Sequence, residues 1–154
     1  MTATQLVNTM NQSFLETYLN FVLSRINQVA LKFLVSVFVS VIGVVILAMF
    51  LATFLRLGTV VNVLPVVLTF FSAMSAYYFL DKVRNKVRKK SLVSVLAGVS
   101  TSVVSFCVLN LIFRELTDVW ILGVMDLVIF LAVGAFFSEI GASVAIRYFK
   151  LQNR

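Results

Sequence analysis

Apolar residues run almost unbroken through four stretches of the chain, Val29–Leu55, Thr59–Leu80, Leu92–Phe113 and Trp120–Ile146. Each is at least as long as the roughly 20 residues a helix needs to cross about 30 Å of hydrocarbon. The pattern predicts four spanning helices joined by short connections. The first and fourth runs exceed the minimum, so those helices are expected to tilt or to extend into the headgroups.

Residues 4–28 follow a different pattern. Leu6, Val7, Met10, Phe14, Tyr18, Phe21, Val22 and Ile26 recur at three- and four-residue steps, while Asn8, Asn11, Gln12, Glu16 and Asn20 fall mostly elsewhere on the wheel. This spacing predicts an amphipathic helix lying along the membrane surface, the other reading being a helix that docks on a partner protein. A basic start is missing and no A-x-A-like cleavage site follows a short apolar core, so the segment does not read as a cleavable signal. The expected fold is all-α and integral to the membrane: an amphipathic N-terminal helix over 1–28 and a four-helix transmembrane domain over 29–154.

Composition supports this and removes the soluble alternatives. Of 154 residues, 61% are apolar and 12% charged, with mean hydropathy +1.05, against about half and a quarter in soluble domains. Eleven of the 13 lysines and arginines lie before the first run, at its start, between the second and third, or after the fourth; only Arg56 and Arg114 lie on the other side. The positive-inside rule then puts both termini and the middle connection in the cytoplasm of a multi-pass cell-membrane protein. The net charge of +7 is explained by that topology and by anionic lipid, and nucleic acid is not an expected partner.

A shift of 58 positions lays the first hairpin over the second. Lys32–Val37 (KFLVSV) then faces Lys90–Val95 (KSLVSV), and Arg56 faces Arg114. Thr59, Val61, Leu64 and Val66 continue onto Thr117, Val119, Leu122 and Val124, and Pro65 falls opposite Gly123. After an insertion of about a dozen residues, Tyr78-Phe79 corresponds to Tyr148-Phe149. Either the hairpin is duplicated, with both halves in one orientation, or the likeness is chance similarity between valine-rich segments.

Chemistry-bearing residues are few. With no histidine and one cysteine, Cys107, the usual catalytic and metal-site side chains are missing, so neither an enzyme, a metal nor a cofactor is expected. Glu139 lies about nine residues inside the cytoplasmic end of the fourth span, where a charge is costly unless paired or wet. Proton coupling, substrate contact and a pair with Arg147 are its readings, although Arg147 stands about 80° round the helix and ~12 Å along it. Asp126, nearer the outer end, is either a second substrate contact or part of a wet rim with Glu115, Asp118 and Arg114. Gly134, Ser138, Gly141 and Ala145 form a small-residue face on the fourth span, and Ser94, Gly98 and Ser102 form one on the third. Such faces predict close helix packing, within the chain or between copies. The connection Asp81–Lys90 carries six cations, including Lys82, Arg84 and Arg88, suited to an anionic lipid headgroup.

Taken together, the basic openings Lys32–Ser36 and Lys90–Ser94, Tyr78-Phe79 before the basic loop, and Ile146–Lys150 make the chain resemble the GtrA-like family of small four-span membrane proteins, over Lys32 to Lys150. What the resemblance implies is translocation of polyprenyl-phosphate-linked sugars for cell-surface polysaccharide or glycan synthesis. On that reading Lys82, Arg84, Arg88 and Arg147 hold the lipid phosphate, and Glu139 lines the sugar's path. Two other readings stay open: a holin-like or pore-forming homo-oligomer joined through the small faces, and an accessory or structural subunit of a larger membrane assembly.

Overall fold

A computed structural model describes the backbone of residues 3–84 and 89–150, and the side chains of Ser24, 27–84 and 89–150. Four helices account for nearly all of it: α1 (Ala3–Phe54), α2 (Leu57–Val83), α3 (Lys90–Thr117) and α4 (Val124–Tyr148). Asn27–Phe54, Leu57–Val83, Lys90–Thr117 and Val124–Tyr148 are each long and apolar enough to cross a membrane. The chain divides into two units, Met1–Leu31 and Lys32–Arg154. The first is helical from Ala3 onward, but the amphipathic character expected of it is not supported. The side chains that would form its apolar face lie outside the described residues.

The second unit is a bundle whose outer surface is apolar. Leu34, Phe38, Ile46 and Phe50 on α1, Val66 and Phe70 on α2, Leu96 on α3 and Val128 and Phe136 on α4 all stand exposed. Many of the buried positions are small residues and hydroxyls, such as Ala76, Ala97, Ser72, Ser102, Ser105 and Ser138, the distribution expected when the surroundings are as apolar as leucine and packing rather than water drives helices together.

Close approach is written into the glycines. A Cβ on Gly98 would collide with the Gly134 carbonyl and with Ser138, and one on Gly134 would collide with Ser102 Oγ. The α3 and α4 backbones therefore touch. Gly141 meets the backbone of Ala73 in the same way and brings α4 onto α2. Gly43 of α1 admits the edge of the Phe71 ring, and Phe33 meets Phe79 edge-on at 5.7 Å. Toward the α1–α2 and α3–α4 connections the interior is aliphatic and aromatic, with Val44, Leu64, Leu68, Leu109, Phe113 and Phe130 in one cluster.

The connections explain where the helices stop. Leu55 and Arg56 alone link α1 to α2. In contrast, α3 ends when Asp118 adopts a left-handed backbone (φ 57°), and its N–H closes on Arg114 O at 2.8 Å. Asn110 then takes both polar groups of Leu122, so residues 120–123 lie outside the helix despite their apolar sequence. The fourth helix thus begins at Val124, not at Trp120 as the apolar run predicts.

The 58-residue register does not carry through these connections. Phe54 ends α1, yet its counterpart Ile112 lies inside α3. Arg56 is the N-cap of α2, whereas Arg114 is in the last turn of α3 with its guanidinium 4.8 Å from the Trp120 ring. Pro65 is inside α2 and Gly123 caps α4, so the two are not equivalent.

Candidate functional site

Glu139, Ser143 and Arg147 recur every four residues of α4 and share its outer side, opposite the buried stripe of Gly134, Ser138, Gly141 and Ala145. Phe136, Ile140 and Val144 repeat at the same spacing beside them. These six line a groove of about 410 Å³. Its three polar groups run from the end of α4 inward, a guanidinium, a hydroxyl and then a carboxylate, with hydrocarbon alongside. Along a helix, Glu139 lies ~12 Å deeper than Arg147.

Glu139 is exposed, and its carboxylate Oε1 accepts a hydrogen bond from Ser91 Oγ at 3.3 Å. Ser91 stands in the first turn of α3, so the bond crosses between helices, and Glu139 itself lines the groove. The carboxylate is thus oriented by a neutral donor. That arrangement suits a ligand rich in hydroxyls, because a carboxylate accepts from O–H groups strongly without needing a buried counter-ion.

The basic end of the bundle is stitched together by aromatic and basic side chains. Lys32 Nζ donates to Lys82 O at 2.9 Å, covering a carbonyl left open at the end of α2. Lys82 itself lies over the Tyr78 ring at 5.4 Å. Arg84, at the C-cap with φ 43°, faces Asp81 Oδ1 at 3.5 Å and stacks on Phe149 at 5.6 Å. Tyr77 meets Phe149 as well, at 5.5 Å, so the tail of α4 is held against that of α2. Arg147 precedes Phe149 by two residues. The structure therefore gathers Lys82, Arg84 and Arg147 at one end of the bundle, with Glu139 on the α4 side of it. Arg88 lies outside the described residues.

Asp126 stands apart. Its Oδ2 accepts the Gly123 N–H at 2.8 Å, closing the first turn of α4 at the opposite end. Thirteen residues separate it from Glu139, ~20 Å of helix. The small residues singled out on α3 and α4 are all buried: Ser94, Gly98, Ser102, Gly134, Ser138, Gly141 and Ala145. Gly98, Ser102, Gly134 and Ser138 meet one another and Gly141 meets Ala73, so these five pack helix on helix rather than lining an open path.

Sequence reasoning missed Ser91 and the Lys32 contact, and it noted Phe149 in the repeat without placing it at the site. Phe149 carried a signal, since an aromatic two residues after Arg147 repeats the Tyr78-Phe79 pattern before the basic loop. Ser91 carried none, because its role depends on how α3 is rotated toward α4. No family model matches the chain, nor does any curated protein or solved structure.

Proposed function

We propose that this is a multi-pass membrane protein that draws the headgroup of a phosphate-bearing lipid, a polyprenyl-phosphate-linked sugar, into the α4 groove and assists its passage across the bilayer. The reading rests on one observation, the groove that sets Arg147 at the end of the span, Ser143 and Glu139 deeper, and Phe136, Ile140 and Val144 beside them. In this mechanism Arg147 holds the phosphate, with Lys82 and Arg84 adding positive potential at the same end. Glu139, oriented by Ser91, and Ser143 take the sugar hydroxyls. The prenyl chain stays in the lipid against the exposed apolar face. The resemblance to GtrA-like proteins implies the same substrate class, and the lysine and arginine distribution puts the basic end in the cytoplasm.

A pore assembled through the small-residue faces is less well supported, since those faces are taken up by contacts within the chain. The test is native mass spectrometry of the protein extracted with its lipids, beside Arg147→Met and Glu139→Gln. The expected result is a retained polyprenyl-phosphate mass that Arg147→Met removes. Glu139→Gln should keep a bare lipid phosphate while losing the glycosylated form. Equal retention by all three proteins would sink the proposal.

A further inference from the structure

Two layers of hydroxyls cross the bundle, one turn apart. In the first, Ser36 Oγ donates to Ser75 O at 2.6 Å, and Thr101 Oγ1 lies 3.3 Å from Ser75 Oγ. Helix direction fixes the second. Because α1 and α3 run away from the basic end and α2 runs toward it, Ser40, Ser72 and Ser105 each lie one turn farther from that end than Ser36, Ser75 and Thr101. All three are buried.

At ~100° per residue, Ser105 falls between Thr101, which meets α2, and Ser102, which meets α4. On α2, Ser72 falls between Ser75 and Ala73, and Ala73 meets α4. Both serines thus occupy the faces on which α2, α3 and α4 converge, at the same level.

Other buried hydroxyls turn back on their own helix. Ser94 donates to Lys90 O, Thr101 to Ala97 O, Ser102 to Gly98 O and Ser138 to Ala135 O, at 2.8 to 2.9 Å. That route is open to any helical serine. Ser72 and Ser105 do not take it: their Oγ atoms are wholly buried and have no hydrogen-bond partner among the described residues. Leaving a hydroxyl unpaired in such surroundings is unfavourable, and internal water is the usual remedy.

We infer that Ser72 and Ser105 share one internal water molecule, which continues the Ser36–Ser75–Thr101 chain of hydrogen bonds by one layer. A neutral ligand fits the site. Its polar groups are hydroxyls, while Glu139 is on the outer side of α4, Asp126 caps the far end of α4 and Asp81 sits at the end of α2. With no carboxylate at this level among the described residues, a cation would be uncompensated.

Hydroxyl-radical labelling of the intact chain by X-ray radiolysis tests this, since a bound water oxidises its neighbours even where bulk solvent does not reach. Leu68 and Leu109 flank the two serines by one turn, and Leu64 and Val60 are equally buried but more distant. Leu68 and Leu109 are expected to label about tenfold faster than Leu64 and Val60. Equal protection of all four would mean a dry junction and overturn the inference.

A double-mutant cycle gives an independent reading. Ser72→Ala and Ser105→Ala should each lower the folded-to-unfolded ratio about fivefold, and the double variant hardly more than either. Neutral, additive effects would overturn the shared water. Replacing sodium by choline in the buffer should change nothing; stability that requires sodium and both serines would make the ligand a cation instead.

Discussion

Asn110 grips Leu122 by both of its backbone polar groups: Nδ2 donates to Leu122 O at 3.1 Å, and the Leu122 N–H donates to Oδ1 at 3.2 Å. A side-chain amide is suited to this, since it offers a donor and an acceptor side by side. Asn110→Ala leaves both Leu122 groups unpaired next to a buried cluster, and should cost about 1–3 kcal/mol of unfolding free energy in detergent. Asn110→Asp keeps the acceptor but loses the donor, and should not restore it. A wild-type melting temperature for Asn110→Ala would show the clasp to be dispensable.

The two kinds of glycine predict opposite outcomes. Gly98 has backbone and Ser138 against the place a Cβ would take, so Gly98→Val should push α3 off α4 at a cost of about 1–3 kcal/mol or more. Gly58 has nothing within 4 Å of that position, so Gly58→Ala should be tolerated and add up to about 0.5 kcal/mol. Parallel thermal unfolding of both variants distinguishes them.

Asp126 and Glu139 share a helix and are expected to differ in task. Asp126→Ala should cost about 0.5–1 kcal/mol through loss of the cap on Gly123, with retention of phosphate-bearing lipid unchanged. Glu139→Gln should reverse that profile, altering the lipid retained and leaving stability within about 0.5 kcal/mol, as expected for an exposed side chain. Loss of lipid in Asp126→Ala would redraw the site.

Orientation can be read with impermeant thiol reagents. In a Cys107→Ala background, Lys89→Cys should label only from the cytoplasmic side and Glu115→Cys only from the outside, both being exposed positions. Labelling in the reverse sense would invert the topology and place the groove's basic end outside.

Much of the fold was legible because long apolar runs have few alternatives at this length. The ends were less so. Trp120, Ile121 and Leu122 are as apolar as the helix that follows, and the distant Asn110, the left-handed Asp118 and the Asp126 cap on Gly123 keep them out of α4. The buried faces of α3 and α4 were readable from small residues standing in otherwise bulky sequence. Half of the site was readable too, since Glu139 and Arg147 are conspicuous in such surroundings and Ser91 is not. What decides Ser91 is the rotation of one helix against another, to which the spacing along either strand of sequence is blind.

The order of synthesis gives the α4 seams a further consequence. Gly98 and Ser102 on α3 and Ala73 on α2 are closed over by α4, which is made after both. A nascent chain that has not reached Val124 therefore presents notched, hydroxyl-bearing sides to lipid, and we expect it to be the form that membrane-bound chaperones and proteases recognise. Arrival of α4 covers those sides, so a chain cut short before Val124 should be degraded faster than one that carries α4.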